Sequence, residues 1–370
     1  MDYTLSAPRY ILILPTFAAR IMLQPRRFLI TGGAGFIGSN FIRYIFEKYP
    51  EDSILNIDVL TYAGNPENLA DVVSTDHHSG SQRYVFLQGD ITDPDFVRSV
   101  ISKNPVDYLV HFAAETHVDR SYLHVADFTK TNIEGTRLLV DALRELQPDA
   151  RFIHISTDEI YGSIPEGSAS EDAAARPSNL YAASKAAADL LVQAYMRSYD
   201  VPGLIVRGSN NFGPFQYPEK LIPLAITNLI EGKKIPLHGS GEHIRSWLHV
   251  RDFCAAINLI VREANPYSIY NVSGEQFRNA DVLRKIVQYF KLSPEEYIEQ
   301  VPDRPGADMR YAPDSTKLRT ELGWIPEYKI ESALPELIEW YRTNSSWWKP
   351  IKQTKEYAEH YQKQSMGIWY

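Results

Sequence analysis

Short runs of β-branched and other apolar residues alternate along the chain with longer stretches whose apolar positions recur at helical spacing. Residues 27–30, 54–58, 84–88, 108–112 and 152–156 predict strands, and residues 39–48 and 132–146 predict helices. Leu138, Leu139 and Leu143 fall on one side of the second helix. Strand followed by helix, repeated, predicts an α/β fold: a doubly wound parallel sheet covered on both faces. After about Arg207 the pattern loses its regularity and gains Pro, Gly and aromatic residues. That change predicts a smaller mixed α/β lobe that binds substrate and shapes a ligand cleft. The organisation expected is a dinucleotide-binding unit over 23–207 with a return segment near 246–272, a lobe over 208–345, and a C-terminal tail over 346–370.

Composition narrows the class. Of 370 residues, 44% are apolar and 23% charged, the balance of an ordinary globular protein. The formal net charge of −8 argues against nucleic acid as partner, which requires a basic surface. Cys254 is the single cysteine, so neither an internal disulfide nor a cysteine-based zinc site can form. No metal is expected, and a cytoplasmic home fits the cysteine usage. The apolar knot at residues 11–14 is interrupted by Pro15 and is too short to span a bilayer. Asp2 precedes it, so it does not read as a signal peptide. Residues 1–22 are expected to be an extension without fixed structure, or to precede a true start at Met22.

The segment Thr31-Gly-Gly-Ala-Gly-Phe-Ile-Gly38 follows the first strand and opens the first helix. Three glycines at 32, 35 and 38 suit a tight turn, a close backbone approach to a pyrophosphate, and helix-on-strand packing. Phe36 and Ile37 complete a helix N-terminus that can meet negative charge. Asp58 closes the second strand, twenty residues after Gly38. A carboxylate there accepts hydrogen bonds from ribose hydroxyls and repels a 2′-phosphate, so NAD is expected rather than NADP. Asp90 and Ile91 after the third strand, and Ala113 and Ala114 after the fourth, extend this Rossmann-type site toward adenine and nicotinamide respectively.

Tyr181 and Lys185 lie four residues apart, one turn of helix, and face the same way. An adjacent ammonium and a positive nicotinamide would lower the phenol's pKa. Gly32 to Gly38, Asp58, Tyr181 and Lys185 together resemble the extended short-chain dehydrogenase/reductase superfamily, over about residues 27–348. Ser156-Thr-Asp-Glu-Ile-Tyr-Gly162 sharpens the resemblance. Adjacent carboxylates at a strand end suit an elimination, one lending a proton and the other taking one. Five further segments are similar to dTDP-glucose 4,6-dehydratases: 60–65, 113–121, 209–214, 218–223 and 303–306.

That resemblance implies a role for each residue of the site. It implies that Tyr181 takes the proton of the sugar 4-hydroxyl, aided by Thr157, and that Lys185 holds the nicotinamide ribose. By the same resemblance Glu159 removes the C5 proton and Asp158 protonates the departing 6-hydroxyl. Thr131 and Asn211 join the implied cofactor contacts. The nucleotide-diphosphate sugar is assigned to Thr116, Thr157, Asn210, Lys220, Leu221, Pro236, Leu237, His238, Arg245, Asn271 and Arg304. A homodimer formed through the helix bearing Tyr181 is implied too. The chain departs from the family pattern at Val59, His238, Ser246 and Ala307, which leaves UDP-glucose or an amino-sugar nucleotide open as substrate. A sugar-nucleotide 4-epimerase would use Tyr181 but has no task for Asp158 and Glu159. A non-catalytic NAD-binding regulator has no need of Tyr181 or Lys185.

Overall fold

The computed structural model describes residues 25–368; the expectation for 1–22 falls outside the described residues. Seven parallel strands form the main sheet in the order β10-β6-β5-β4-β1-β2-β3. They are β1 (Arg27–Thr31), β2 (Ser53–Asp58), β3 (Tyr84–Gln88), β4 (Tyr108–His111), β5 (Arg151–Thr157), β6 (Gly203–Gly208) and β10 (Ser268–Val272). β1 and β4 are neighbours although two strands intervene in the sequence. The chain winds outward in both directions from that pair, so a crevice opens at their carboxyl ends.

Helix α1 (Phe36–Lys48) and α2 (Ala70–Ser79) flank the first half of the sheet, with α3 (Pro94–Lys103), α4 (Thr136–Leu146) and α5 (Leu180–Tyr199) following. Buried Phe28, Ile30, Phe41, Ile42 and Ile45 pack one face, and Leu29, Leu109, Leu139, Leu143 and Phe152 the other. Successive β1 residues thus enter opposite cores, as strand pleating requires. The helix expected over 132–146 differs at its start. Residues Thr129–Gly135 form a π-helical turn before α4. Within it the Asn132 amide accepts from Glu115 N (2.9 Å) and donates to Glu115 O (3.0 Å) and Ser184 Oγ (2.8 Å).

The rest of the chain builds the lobe. Strands β7 (Asn210–Phe212), β9 (Ile244–His249) and β11 (Glu275–Arg278) form a three-stranded sheet, and β8 (Ile235–His238) pairs with β12 (Ile298–Val301). Between β9 and β10 the chain returns to the main sheet through α7 (Val250–Glu263); α6 (Leu221–Ile230), α8 (Asn279–Tyr289) and α9 (Ile330–Thr343) share the lobe's own core. The region expected as a tail is helical. It forms α10 (Ser345–Gln353) and α11 (Lys355–Met366), anchored by Trp348, whose indole N–H donates to Tyr341 O at 2.7 Å.

One buried ion pair ties the sheet to α5. Arg207 on β6 grips both oxygens of Asp189 at 2.9 Å, and also donates to Tyr161 Oη and Glu171 O at 2.7 Å. Both side chains are almost fully enclosed. Arg207→Met would leave the Asp189 charge buried and unpaired; urea denaturation is expected to show a loss of about 3–5 kcal/mol.

Candidate active site

A cavity of about 670 Å³ occupies the crevice above β1 and β4 and continues beneath α10 and α11. Its inner end is built on the glycine turn. Gly32 sits at φ +73°, and a Cβ there would lie 2.4 Å from Ala113 N. A Cβ on Gly38 would lie 2.3 Å from Gly32 O. Gly35 is the N-cap of α1 and supplies no side-chain cap, so the first N–H groups of the helix are left for a ligand. The Asp58 carboxylate accepts from Ala34 N (3.0 Å) and Leu60 N (2.8 Å), which holds it at the mouth of the turn. Burial pushes this carboxyl up, and the two backbone bonds oppose the shift. An uncapped helix end, a left-handed glycine and a fixed carboxylate fit the pyrophosphate and ribose of an adenine dinucleotide.

Gly35, Phe36, Ile37, Asp90, Ile91, Ala113, Ala114, Thr131 and Asn211 all line the same cavity, as do Thr116, Asn210 and Lys220. So do Thr157, Asp158, Glu159, Tyr181 and Lys185. The first three sit where β5 runs into a short 3₁₀ turn, and the Thr157 hydroxyl caps that turn by accepting from Glu159 N at 3.3 Å. The last two sit on the first turns of α5, whose N-cap Asn179 accepts from Ala182 N at 2.8 Å. Lys185 Nζ donates to Ile155 O at 2.7 Å.

Burial governs the electrostatics here. It raises Asp158 well above the carboxylate range, and the neighbouring Glu159 charge adds to this. Glu159 is raised too, again by burial, but Arg245, Arg304 and Lys220 hold it back. The two acids are therefore pushed apart. Lys185 falls to about 8 because it is buried, with Asp189 opposing. Burial and then Glu159 push the Tyr181 phenol up, the Thr157 hydrogen bond opposes, and Lys185 directs its ammonium to Ile155 O.

Seven expected substrate residues do not line this cavity: Leu221, Pro236, Leu237, His238, Arg245, Asn271 and Arg304. Asn271 is fully buried, and its amide is taken up by Tyr161 Oη (2.8 Å) and Ala169 O (3.0 Å). Leu237 belongs to the lobe core, Leu221 packs against it, and Pro236 lies on β8 beside Leu237. His238 meets Gln364 O at 3.0 Å. Arg245 and Arg304 lie just behind the cavity wall, where their charges act on Glu159.

Sequence reasoning missed several cavity residues. Arg120 and Glu219 form a buried ion pair at 3.0 Å. Both stand in segments whose motifs pointed here, yet an Arg-Glu pair that far apart in sequence gives no local signal. Trp347, Ile351 and Glu356 come from α10 and α11, and Glu356 reaches Arg120 Nη1 at 2.6 Å. His117, Glu219 and His360 bring donor atoms within 4.8 Å of one another beside the cavity. The Arg120 guanidinium already on Glu219 opposes a dication at that point.

A family model described as GDP-mannose 4,6 dehydratase matches residues 29–337. The chain is 44% identical over 335 residues to a dTDP-glucose 4,6-dehydratase of Streptomyces niveus, covering 89% of this chain and 97% of the relative. Among solved structures it is similar to the Bacillus anthracis dTDP-glucose 4,6-dehydratase in complex with NAD, with a TM-score of 0.81 and 39% identity over 88% of this chain and 100% of that one. It is also similar to the Streptomyces venezuelae dTDP-glucose 4,6-dehydratase with NAD and TYD bound, with a TM-score of 0.83 and 40% identity over the same shares.

Gly38→Val would drive a branched side chain into Gly32 O. Protein purified with this change is expected to fold, by circular dichroism, yet to lose its bound dinucleotide in the absorbance of a heat-released extract.

Proposed function

We propose, from the premise that this chain belongs to the GDP-mannose 4,6-dehydratase family of extended short-chain dehydrogenases/reductases, that it is an NAD-dependent dTDP-glucose 4,6-dehydratase. It converts dTDP-glucose to dTDP-4-keto-6-deoxyglucose and water. The observation that carries this reading is the pair Asp158 and Glu159, one buried and one half-buried carboxyl with separated acidities, lining one cavity with Thr157 and Tyr181.

When bound, NAD supplies a positively charged, reversible two-electron oxidant that takes hydrogen from sugar C4 and gives it back at C6. The protein's own groups move the protons. Tyr181 acts as base once a bound, positively charged nicotinamide offsets the burial that otherwise keeps its phenol protonated; as phenolate it would accept the proton of the 4-hydroxyl, with Thr157 bonded to the same oxygen. Lys185, whose ammonium donates to Ile155 O, would hold the nicotinamide ribose. Once C4 is a ketone, the C5 proton is acidic, and Glu159 takes it as the carboxyl more readily ionised. Asp158, held protonated by burial, donates to the 6-hydroxyl as it leaves as water. Glu159 later returns its proton to C5. Burial of Thr157, Asp158, Tyr181 and Lys185 limits the access of bulk water to the reacting face.

The nucleotide end is held by Thr116, Asn210 and Lys220 at the cavity and by Arg245 and Arg304 behind it. Two guanidiniums and an ammonium whose charges all act on Glu159 place positive charge at this end of the cavity, which suits a diphosphate. His238 and Ala307 are positions where the residue differs from the family's usual one, and the comparison of dTDP-glucose with UDP-glucose as substrates tests whether base preference changes with them. The exposed Leu190 and Tyr199 on α5 support a homodimer formed through that helix. The buried lone thiol of Cys254 goes with a reducing compartment, the cytoplasm.

Mass spectrometry after incubation with dTDP-glucose is expected to show loss of one water, and UDP-glucose to remain unconverted. An isomer of unchanged mass would make the enzyme an epimerase. Asp158→Asn is expected to slow water loss by about 10²–10⁴-fold. It should leave exchange of C5 hydrogen with deuterated solvent in place, whereas Glu159→Gln abolishes that exchange. Elimination requires Glu159 ionised and Asp158 protonated. Its rate should therefore rise with pH through the raised Glu159 value and fall through the higher Asp158 value, a bell whose acid limb lies above the ordinary glutamate range.

A further inference from the structure

The turn of helix at Val118–Leu123 lies beside the cavity and carries two charged side chains that point to different partners. Arg120 turns to Glu219. Asp119, only 2% exposed, turns the other way and meets Arg304 Nη1 at 3.4 Å. Its second oxygen accepts from Gln364 Nε2 of α11 at 3.3 Å, and His117 Nδ1 stands 3.8 Å away. The loop bearing Arg304 is tied to the same turn a second time, because Tyr122 Oη donates to Pro305 O. Gln364 is fixed in turn, donating also to Glu219 O at 3.3 Å.

Arg304 is held by Asp119, and the charges of Tyr311 and Glu159 also act on it. Arg245 lies close enough for the two like charges to oppose each other. The two guanidiniums repel, and the contact with Asp119 offsets that repulsion at Arg304. Asp119 is the carboxylate that touches Arg304 among the described ion pairs.

We propose that Asp119 is a positioning residue that orients Arg304 toward the substrate diphosphate, and that Gln364 of the C-terminal helix holds Asp119 in place. The proposal rests on the reading of Arg304 as a diphosphate contact. Asp119 touches no reacting atom. It sets the direction of a bidentate grip, a geometry that tolerates little rotation.

The test is a double-mutant cycle on the full-length holoenzyme, reading the Kd for dTDP by calorimetry and KM and kcat for dTDP-glucose. Asp119→Asn is expected to raise Kd and KM about tenfold, the weight of one misdirected charge-assisted hydrogen bond, with kcat and bound NAD nearly unchanged. Gln364→Ala should give a smaller rise of the same kind and serves if Asp119→Asn folds poorly. Arg304→Ala should raise Kd more, and adding Asp119→Asn to it should change nothing further. Additive effects, or a fall in kcat and NAD content as large as the rise in KM, would overturn the positioning role. A Kd unmoved by Arg304→Ala would instead overturn the diphosphate reading of Arg304 itself.

Discussion

Everything at the site depends on the parallel pairing of β1 with β4 across the point where strand order reverses. Parallel strands present all their carboxyl ends at one edge of the sheet. The reversal leaves that edge uncovered by a crossover helix. The glycine turn after β1, the alanines after β4 and the Thr-Asp-Glu turn after β5 are therefore delivered to one crevice from distant parts of the chain. α5 then runs back along the sheet and adds Tyr181 and Lys185 from its first turns. The Arg207–Asp189 pair holds that helix against β6, one turn beyond Lys185.

The second determinant is dryness. Asp158, Glu159, Tyr181 and Lys185 are all enclosed, and burial is the largest cause of each shift in acidity. Desolvation alone would raise both carboxyls together. The placement of cations separates them, since Arg245, Arg304 and Lys220 all act on Glu159 while Arg245 is the one that stands out at Asp158. The cations suited to grip a diphosphate thus also help keep the neighbouring base ionised. Under the proposed function, substrate binding and proton transfer share one set of charges.

The C-terminal helices complete the enclosure. Trp347 donates to Asn68 Oδ1 at 2.8 Å, and Glu356 reaches Arg120, so α10 and α11 bridge the two parts of the molecule over the cavity. Tyr357 Oη donates to Pro218 O at 3.1 Å and closes the outer rim. Polar bonds to both sides make these helices a fixed wall of the site.

The strand-helix alternation, the spacing of Gly32, Gly35, Gly38 and Asp58, and the Tyr181–Lys185 interval are local patterns, and local sterics and hydrogen bonding suffice to read them. So the doubly wound sheet and the gathering of the glycine turn, Asp58, Tyr181 and Lys185 around one cavity were legible from the chain alone. Asn271 and Leu237 were not: whether a side chain on β10 or β8 meets ligand or core is decided by what packs over it. In the π-helical turn at Thr129–Gly135, Asn132 meets the Glu115 backbone, a contact outside the helix itself. The roles of Arg120, Asp119 and the helices after Asn344 likewise rest on partners far off in sequence, from 99 residues for Arg120 and Glu219 to 279 for Trp347 and Asn68. The upward shift of Tyr181 was hidden for the same reason. Proximity of an ammonium can be inferred from helical spacing, but the direction in which Lys185 points, and the loss of water around both groups, are set only when the sheet, the helix and the lobe close on one another.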